Sequence, residues 1–194
     1  GQMAKAVEGA IKRKTHLIAE AGTGVGKSFA YLVPLIDFAV SSQKKAVVST
    51  NTISLQEQLV KKDIPFLRSV IPLDFKSCLV KGRSNYLCLR RLDRVFSSRT
   101  DLFDSKDEVA GLQKILSWSK VTTDGSRSDF NEEPSPKVWE RVCCEPDTCL
   151  GKKCPHRNEC FLMKVRHNMQ EADLLVVNHH LFFSDLALRQ SEYS

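Results

Sequence analysis

One eight-residue stretch, AGTGVGKS at residues 21–28, constrains this chain more than any other feature. It follows a short apolar run at residues 17–19 and precedes a helical pattern over residues 29–40. This is the strand–loop–helix context of a phosphate-binding P-loop. Glycines let backbone N–H groups face one concavity, and the next helix adds free amides and the positive end of its dipole. The predicted phosphate-binding residues are Ala21, Gly22, Thr23, Gly24, Val25, Gly26, Lys27 and Ser28.

Two of these residues are the candidate catalytic groups. We expect Lys27 to reach the β- and γ-phosphates of ATP and the Ser28 hydroxyl to bind Mg²⁺. Ala21 stands where the pattern G-x-x-x-x-G-K-[S/T] has its first glycine, and alanine fits there if φ is negative. The alternative is a glycine-rich turn that binds nothing, which the agreement of strand, loop, Lys-Ser pair and helix disfavours.

Length and charge narrow the class of protein. A chain of 194 residues with 42% hydrophobic residues suits one domain, or one domain with an insertion, built on a real core. The net charge of +6 is a modest bias towards an anionic partner such as nucleic acid. No apolar run approaches the roughly 18 residues of a membrane span, so we expect a cytoplasmic protein without a membrane partner.

Polar residues follow the second predicted strand, residues 46–49. The carboxyl ends of strands in a parallel α/β sheet are where ligand contacts are usually placed. The alternative is ordinary turn and cap chemistry, with Ser54 and Glu57 forming a capping box. The candidates for contacting a phosphate backbone are Thr50, Asn51, Thr52, Gln56 and Gln58.

A basic loop, KGRSNYLC at residues 81–88, precedes a helical stretch that carries Arg90, Arg91, Arg94 and Arg99. Arg83 and this arginine group could hold phosphates, while Tyr86 could either lie against a base or serve in packing. A solvated basic helix face is the alternative.

Five cysteines lie close together in sequence, at Cys143, Cys144, Cys149, Cys154 and Cys160. An odd total of seven in a nucleotide-binding chain indicates metal rather than disulfides. The spacing is looser than that of a zinc ribbon and suits a [4Fe–4S] cluster, whose fourth thiolate could be Cys144 or the distant Cys88. The alternatives are buried structural cysteines, or zinc with His156 as a possible ligand.

The chain then returns to an α/β sequence pattern, because residues 174–177 form a fully apolar strand pattern. Residues 75–164 are therefore predicted to be inserted into one sheet. That strand is followed by Asn178 and His179, which cannot supply the carboxylate that holds Mg²⁺ and orients water in an NTPase. A D-E pair at Asp107 and Glu108 has no apolar strand before it. We expect these residues alone to be incomplete for hydrolysis.

These segments together resemble the amino-terminal part of bacterial DinG-like helicases, the iron–sulfur branch of superfamily-two helicases that includes the XPD group. The resemblance implies an α/β fold: a RecA-like P-loop NTPase domain with a parallel sheet, interrupted by a mainly helical iron–sulfur insertion. The implied bounds are residues 1–74 and 165–194 for the RecA-like domain and 75–164 for the insertion. The matching segments are residues 20–28, 48–59, 81–88, 149–160 and 172–180.

The resemblance also implies the chemistry. It assigns the [4Fe–4S] ligands to Cys88, Cys149, Cys154 and Cys160 and excludes Cys143 and Cys144. It implies an ATP-dependent 5′-to-3′ DNA helicase of repair and replication that acts on single-stranded or forked DNA. It also implies a location in the bacterial cytoplasm, associated with the nucleoid, and we expect a monomer. We expect the D-E-x-H box and the second RecA-like domain to lie beyond Ser194. The alternatives are a non-hydrolysing regulatory module that binds nucleotide or DNA, and a zinc-binding P-loop protein.

Overall fold

A computed structural model describes residues 1–98 and 105–192. Internal contacts divide the chain into two compact units. Unit 1 contains Gly1–Val80 and Met169–Ser194, and unit 2 contains Lys81–Asn168. Arg99, one of the basic residues singled out above, lies outside the described residues.

The elements of the described chain are mostly helical, with three short strands. Three 3₁₀ turns lie at Arg83–Asn85, Arg127–Asp129 and Gly151–Lys153. In chain order the other elements are α1 (Gln2–Arg13), α2 (Lys27–Ser42), β1 (Ala46–Thr50), α3 (Ile53–Gln58), a π-helical turn (Leu59–Asp63), α4 (Ile64–Val70), β2 (Ser77–Leu79), α5 (Leu89–Ser97), α6 (Lys106–Ser119), α7 (Pro136–Val142), α8 (Phe161–Glu171), β3 (Leu174–Asn178) and α9 (His179–Glu192).

The three strands form one parallel sheet in the order β1-β3-β2. The register places Ala46 of β1 and Ser77 of β2 opposite Leu174 of β3. The middle strand comes last in the chain, and its apolar sequence is typical of a strand covered on both faces. The predicted strand at residues 174–177 is confirmed, and Leu174 and Val176 in it are fully buried.

The core of unit 1 packs α2, the π-helical turn and α4 onto this sheet. Leu32 and Ile36 of α2 lie four residues apart on one helix face, and both are buried. Leu59 and Ile64 are also fully buried in the same core. Pro34 lies inside α2 without ending the helix.

The predicted strand at residues 17–19 is wrong for this structure. These residues have no regular secondary structure, Leu17 is 43% exposed and Ile18 is 99% exposed. A strand needs a neighbour to satisfy its N–H and C=O groups, and no described strand pairs with this run. A three-residue apolar run also buries too little surface to fix a strand by itself.

Unit 2 is built on a short antiparallel pairing between residues 86–88 and 142–144. Leu87 and Cys143 form a bridge, Cys88 N–H donates to the Val142 carbonyl at 2.8 Å, and Cys144 N–H donates to the Tyr86 carbonyl at 2.8 Å. Because residues 86–88 lead directly into α5, this pairing fixes the start of α5 beside the end of α7.

No helix among the described residues is both long and apolar enough to cross a membrane.

Candidate nucleotide and metal sites

The glycine-rich loop ends where α2 begins, at Lys27. Gly24 and Gly26 have φ values of +76° and +77°, which glycine adopts without the cost that a Cβ would bring. No atom lies within 4 Å of the position that a Cβ would occupy on Gly22, Gly24 or Gly26. Residues 22–26 are also exposed, so the loop faces solvent.

The Lys27 ammonium folds back onto its own loop. Its Nζ donates to the carbonyl oxygens of Ala21 and Gly22, each at 2.7 Å. An ammonium has three donors and no acceptor, so phosphate oxygens would compete with these carbonyls for the same group. The predicted phosphate-binding lysine is thus held at the mouth of the loop.

Ser28 lies beside a tyrosine that the sequence reasoning did not single out. Burial raises the pKa of Tyr31, while a hydrogen bond with Ser28 acts in the opposite direction. The nearby carboxylate of Asp63 raises this pKa further, and Gln58 Nε2 donates to Asp63 Oδ2 at 3.3 Å. Asp63 is only 7% exposed and ends the π-helical turn, a backbone feature that no sequence pattern announces.

The polar residues after β1 divide into exposed and buried ones. Asn51 and Thr52 are exposed, and the Thr52 hydroxyl accepts from the Leu55 amide at 3.2 Å. Thr52 is therefore the N-cap of α3, and the predicted capping box of Ser54 and Glu57 is wrong. Gln58 is exposed and is the donor to Asp63.

Two of the predicted DNA contacts are buried instead. Thr50 and Gln56 are each 3% exposed, so their side chains are not available to a strand on the surface of this structure. The Thr50 hydroxyl donates to the Thr52 carbonyl at 3.2 Å. Gln56 lies on the inner face of the short helix α3, where its Nε2 has no hydrogen-bond partner among the described residues.

His179, which the sequence analysis considered only as a residue that cannot supply a carboxylate, makes a contact that the sequence did not predict. Its Nδ1 lies 2.7 Å from the Ser49 hydroxyl, which links the end of β3 to the end of β1. The Asn178 side chain accepts from the Leu181 amide at 2.7 Å and starts α9. A Ser near a strand end and a His near another, 130 residues apart, give no sequence signal that they meet.

The two sequence candidates of the basic loop differ in exposure. Tyr86 is 1% exposed, so it is a packing residue and not a platform for a base. Arg83 is partly exposed at the start of a 3₁₀ turn. The prediction that this tyrosine could stack on a base is wrong because its ring is buried and its hydroxyl accepts from the Lys81 amide at 3.4 Å.

Cys88 stands at the N-cap of α5. Its pKa is lowered first by a hydrogen bond from Cys144, then by the Arg91 amide and by the charge and amide of Arg90, against the effect of burial. The pKa of Cys144 is raised, first by that same hydrogen bond and then by burial, with a further contribution from Cys160. Cys88 is thus the thiol of this pair that is favoured as thiolate, the form that binds metals.

The three later thiols belong to a turn-rich segment. Cys149 is exposed, whereas Cys154 and Cys160 are partly buried. Cys154 follows a 3₁₀ turn, and the Cys160 carbonyl accepts from Lys164 in the first turn of α8. None of the seven cysteines forms a disulfide. Four free thiols, one of them favoured as thiolate, are the donor chemistry that an iron–sulfur cluster requires.

The described residues do not gather into a mononuclear metal site. Among residues 1–98 and 105–192, no three side chains of His, Cys, Asp or Glu are grouped so that they could hold one metal ion. His156 is paired with Asp93, with Nε2 2.9 Å from Oδ2, rather than with the thiols. The four cysteines predicted to bind the cluster, all of them within the described residues, are therefore not grouped as metal ligands in this structure.

The D-E pair that sequence reasoning rejected starts a helix, as expected. Ser105 caps α6, and its hydroxyl accepts from the Glu108 amide at 3.2 Å. The Glu108 carboxylate lies 2.9 Å from Lys137 Nζ. This carboxylate therefore has a structural partner and does not follow a strand.

Comparison with known proteins defines the class. The family model of DEAD/DEAH box helicases matches residues 3–115, and the chain belongs to this family. Within it, the chain is similar to helicases named DinG and YoaA. It is 40% identical to the ATP-dependent DNA helicase YoaA of Haemophilus influenzae over 99% of this chain and 29% of that protein.

Two further relatives extend this similarity. The chain is 37% identical to the ATP-dependent helicase DinG of Mycobacterium tuberculosis H37Rv, over 95% of this chain and 30% of that protein. It is 29% identical to the 3′-5′ exonuclease DinG of Bacillus subtilis, over 94% of this chain and 19% of that protein. The chain therefore spans three tenths or less of the length of these relatives.

Proposed function

We propose that this chain is the nucleotide-binding part of an ATP-dependent 5′-to-3′ DNA helicase of repair and replication. The observation that carries the proposal is the glycine-rich loop at residues 21–28, with Lys27 held at its mouth, in a chain of the DEAD/DEAH box family. The names of the similar helicases support ATP as the nucleotide and DNA as the partner. Single-stranded or forked DNA is the substrate form, and the working protein is a monomer of the bacterial cytoplasm, associated with the nucleoid.

In this function the loop and α2 bind the triphosphate. Backbone amides of residues 22–28 and the N-terminus of α2 would surround the phosphates, and Lys27 would exchange its two carbonyl partners for phosphate oxygens. Ser28 would hold Mg²⁺, with Tyr31 supporting its hydroxyl. Hydrolysis needs a carboxylate near the Mg²⁺, so we propose that these residues bind ATP but do not turn it over alone.

We also propose that Cys88, Cys149, Cys154 and Cys160 bind a [4Fe–4S] cluster within a unit inserted into a RecA-like domain. Because β2 belongs to the sheet of unit 1, we place this insertion at residues 81–168 instead of the predicted residues 75–164. The support is the position of Cys88 at the start of α5, where its pKa is lowered, and the presence of Cys144 near both Cys88 and Cys160. Such a cluster supplies a rigid cross-link between distant chain segments. Asn51, Thr52 and Arg83 remain the candidates for contacting DNA.

The nucleotide assignment is tested by replacing the loop lysine. We expect Lys27→Ala to weaken binding of a fluorescent ATP analogue with Mg²⁺ by at least tenfold, because a charge-assisted contact to phosphate is lost. Lys44→Ala is the matched control, since Lys44 is exposed and lies after the end of α2. Equal affinity of the Lys27→Ala and Lys44→Ala proteins would refute the phosphate site.

A further inference from the structure

A surface cavity of about 230 Å³ lies within unit 2, between α5 and α7. Four of its lining residues are arginines, and among residues 1–98 and 105–192 no aromatic or carboxylate side chain lines it. We call it the arginine cavity. Its lining residues are Arg90, Arg91, Arg94, Val95, Arg141 and Thr148.

One of the four arginines is structural. Arg91 donates from Nε to the Arg141 carbonyl at 3.0 Å, from Nη1 to the Cys143 carbonyl at 2.9 Å, and from Nη2 to the Glu140 carbonyl at 2.8 Å. These carbonyls lie at and just beyond the end of α7, where a cation is favourable. Nη1 of Arg91 also forms an ion pair with the Glu145 carboxylate, at 2.6 Å.

Two of the other arginines, Arg90 and Arg94, contribute excess positive charge to the cavity. Arg90 donates from Nη2 to the carbonyl of Thr148, a neutral partner that does not cancel its charge. Arg94 is exposed and lies one helical turn after Arg90 on the same face of α5. The acidic Asp93 on the same helix is paired with His156. Like charges gathered in this way favour an anion between them.

We propose that the arginine cavity binds phosphodiester groups of a single-stranded DNA backbone, through Arg90 and Arg94. A guanidinium matches phosphate geometry with paired donors, which an ammonium cannot do. None of its described lining residues is aromatic and able to stack on a base, so we expect the cavity to bind the backbone independently of sequence. The inference rests on the proposed function, because membership of a helicase family selects DNA among phosphate ligands.

The test measures binding of a fluorescein-labelled 15-nucleotide oligodeoxythymidine to the full chain at several salt concentrations. One phosphate contact on a single strand contributes about 0.7 to the slope of log K against log salt. Arg94→Ala should therefore flatten this slope by about 0.7 and weaken binding about fivefold at 0.1 M salt. The double variant Arg90→Ala with Arg94→Ala should flatten the slope about twice as much.

The control is Arg166→Ala, since Arg166 is an exposed cation of unit 2 on α8, away from the cavity. It should leave the slope unchanged. An unchanged slope in the Arg94 variant, or an equal change in the Arg166 variant, overturns the inference while leaving the proposed function intact. Failure of the unsubstituted protein to bind the oligonucleotide overturns the inference and also counts against the proposed function. Circular dichroism confirms that each variant is folded.

Discussion

At the scale of single residues, Gly125 shows how one backbone position constrains the packing of unit 2. Its φ is +62°, and a Cβ built on it would lie 2.1 Å from Cγ of Phe161. The neighbouring Ser126 is completely buried, and its hydroxyl donates to Asp124 Oδ2 at 2.9 Å and accepts from Lys81 Nζ at 2.8 Å. A side chain at residue 125 would therefore displace the first turn of α8 or this buried polar network.

We expect Gly125→Ala to lower the free energy of unfolding by about 3 kcal/mol or more, because overpacking adds to the strain of a positive φ. Gly151→Ala is the matched control, since Gly151 has φ +54° but no atom within 4 Å of its Cβ position. That control should cost only about 1–2 kcal/mol, the price of the backbone conformation alone. Urea denaturation measures both, and equal losses would contradict the packing argument.

The sequence predicted the positions of single residues along the chain better than it predicted their exposure, and the chemistry of Lys27 and Ser28 stays a prediction. Lys27 and Ser28 lie at the loop where the motif put them, because glycine spacing itself fixes a P-loop. Thr50, Gln56 and Tyr86 are polar or aromatic residues near a predicted ligand edge, yet each is buried. Residue type does not show which side chains of a six-residue helix or of a short strand pairing are buried. Their burial depends on residues that are distant in the sequence.

At the scale of elements, unit 2 depends on a clamp between α5 and α7. Arg91 has 16% of its side chain exposed and joins the first turn of α5 to the carbonyls at the end of α7. Hydrogen bonds from a charged donor contribute more to stability than neutral ones do. Removing Arg91 would leave the partly buried carbonyls at the end of α7 without this donor. The clamp also keeps Cys88, three residues earlier, at its position beside residues 142–144.

We expect Arg91→Ala to lower the free energy of unfolding by about 2–3 kcal/mol, from the loss of several charge-assisted hydrogen bonds. Arg94→Ala, one turn further along the same helix and exposed, should change it by less than about 0.5 kcal/mol. Thermal or urea unfolding of both proteins is the measurement. If the two variants are equally stable, Arg91 is not a clamp.

Elements were predictable where a pattern is long or wholly apolar. The helix after the P-loop and the strands β1 and β3 form as predicted, because their apolar residues are buried on a consistent face. The run at residues 17–19 is also apolar, but it is short and no described strand pairs with it. It therefore has no regular secondary structure. The π-helical turn that ends at Asp63 could not be predicted from the sequence, because a π-helical turn does not require particular residue types.

At the scale of the whole molecule, the sheet of unit 1 is assembled from both ends of the chain. The strand β2 ends at Leu79, and β3 begins at Leu174 as its direct neighbour. The Lys76 amide donates to Asp173 Oδ2 at 2.8 Å, and the Asp173 amide donates to the Lys76 carbonyl at 2.9 Å. The chain between them thus leaves and returns at adjacent points, which lets a separate compact unit form there without disturbing the sheet.

The central claim is that a phosphate-binding loop and a [4Fe–4S] cluster belong to one chain, with Cys88 as the ligand contributed from far upstream. The most direct measurement is the iron content and visible absorbance of anaerobically purified protein. The account predicts that Cys88→Ser loses the iron and its brown absorbance, while Cys144→Ser and the buried control Cys78→Ser retain both. Iron retained in Cys88→Ser and lost in Cys144→Ser, or stoichiometric zinc without iron in the unsubstituted protein, would contradict it.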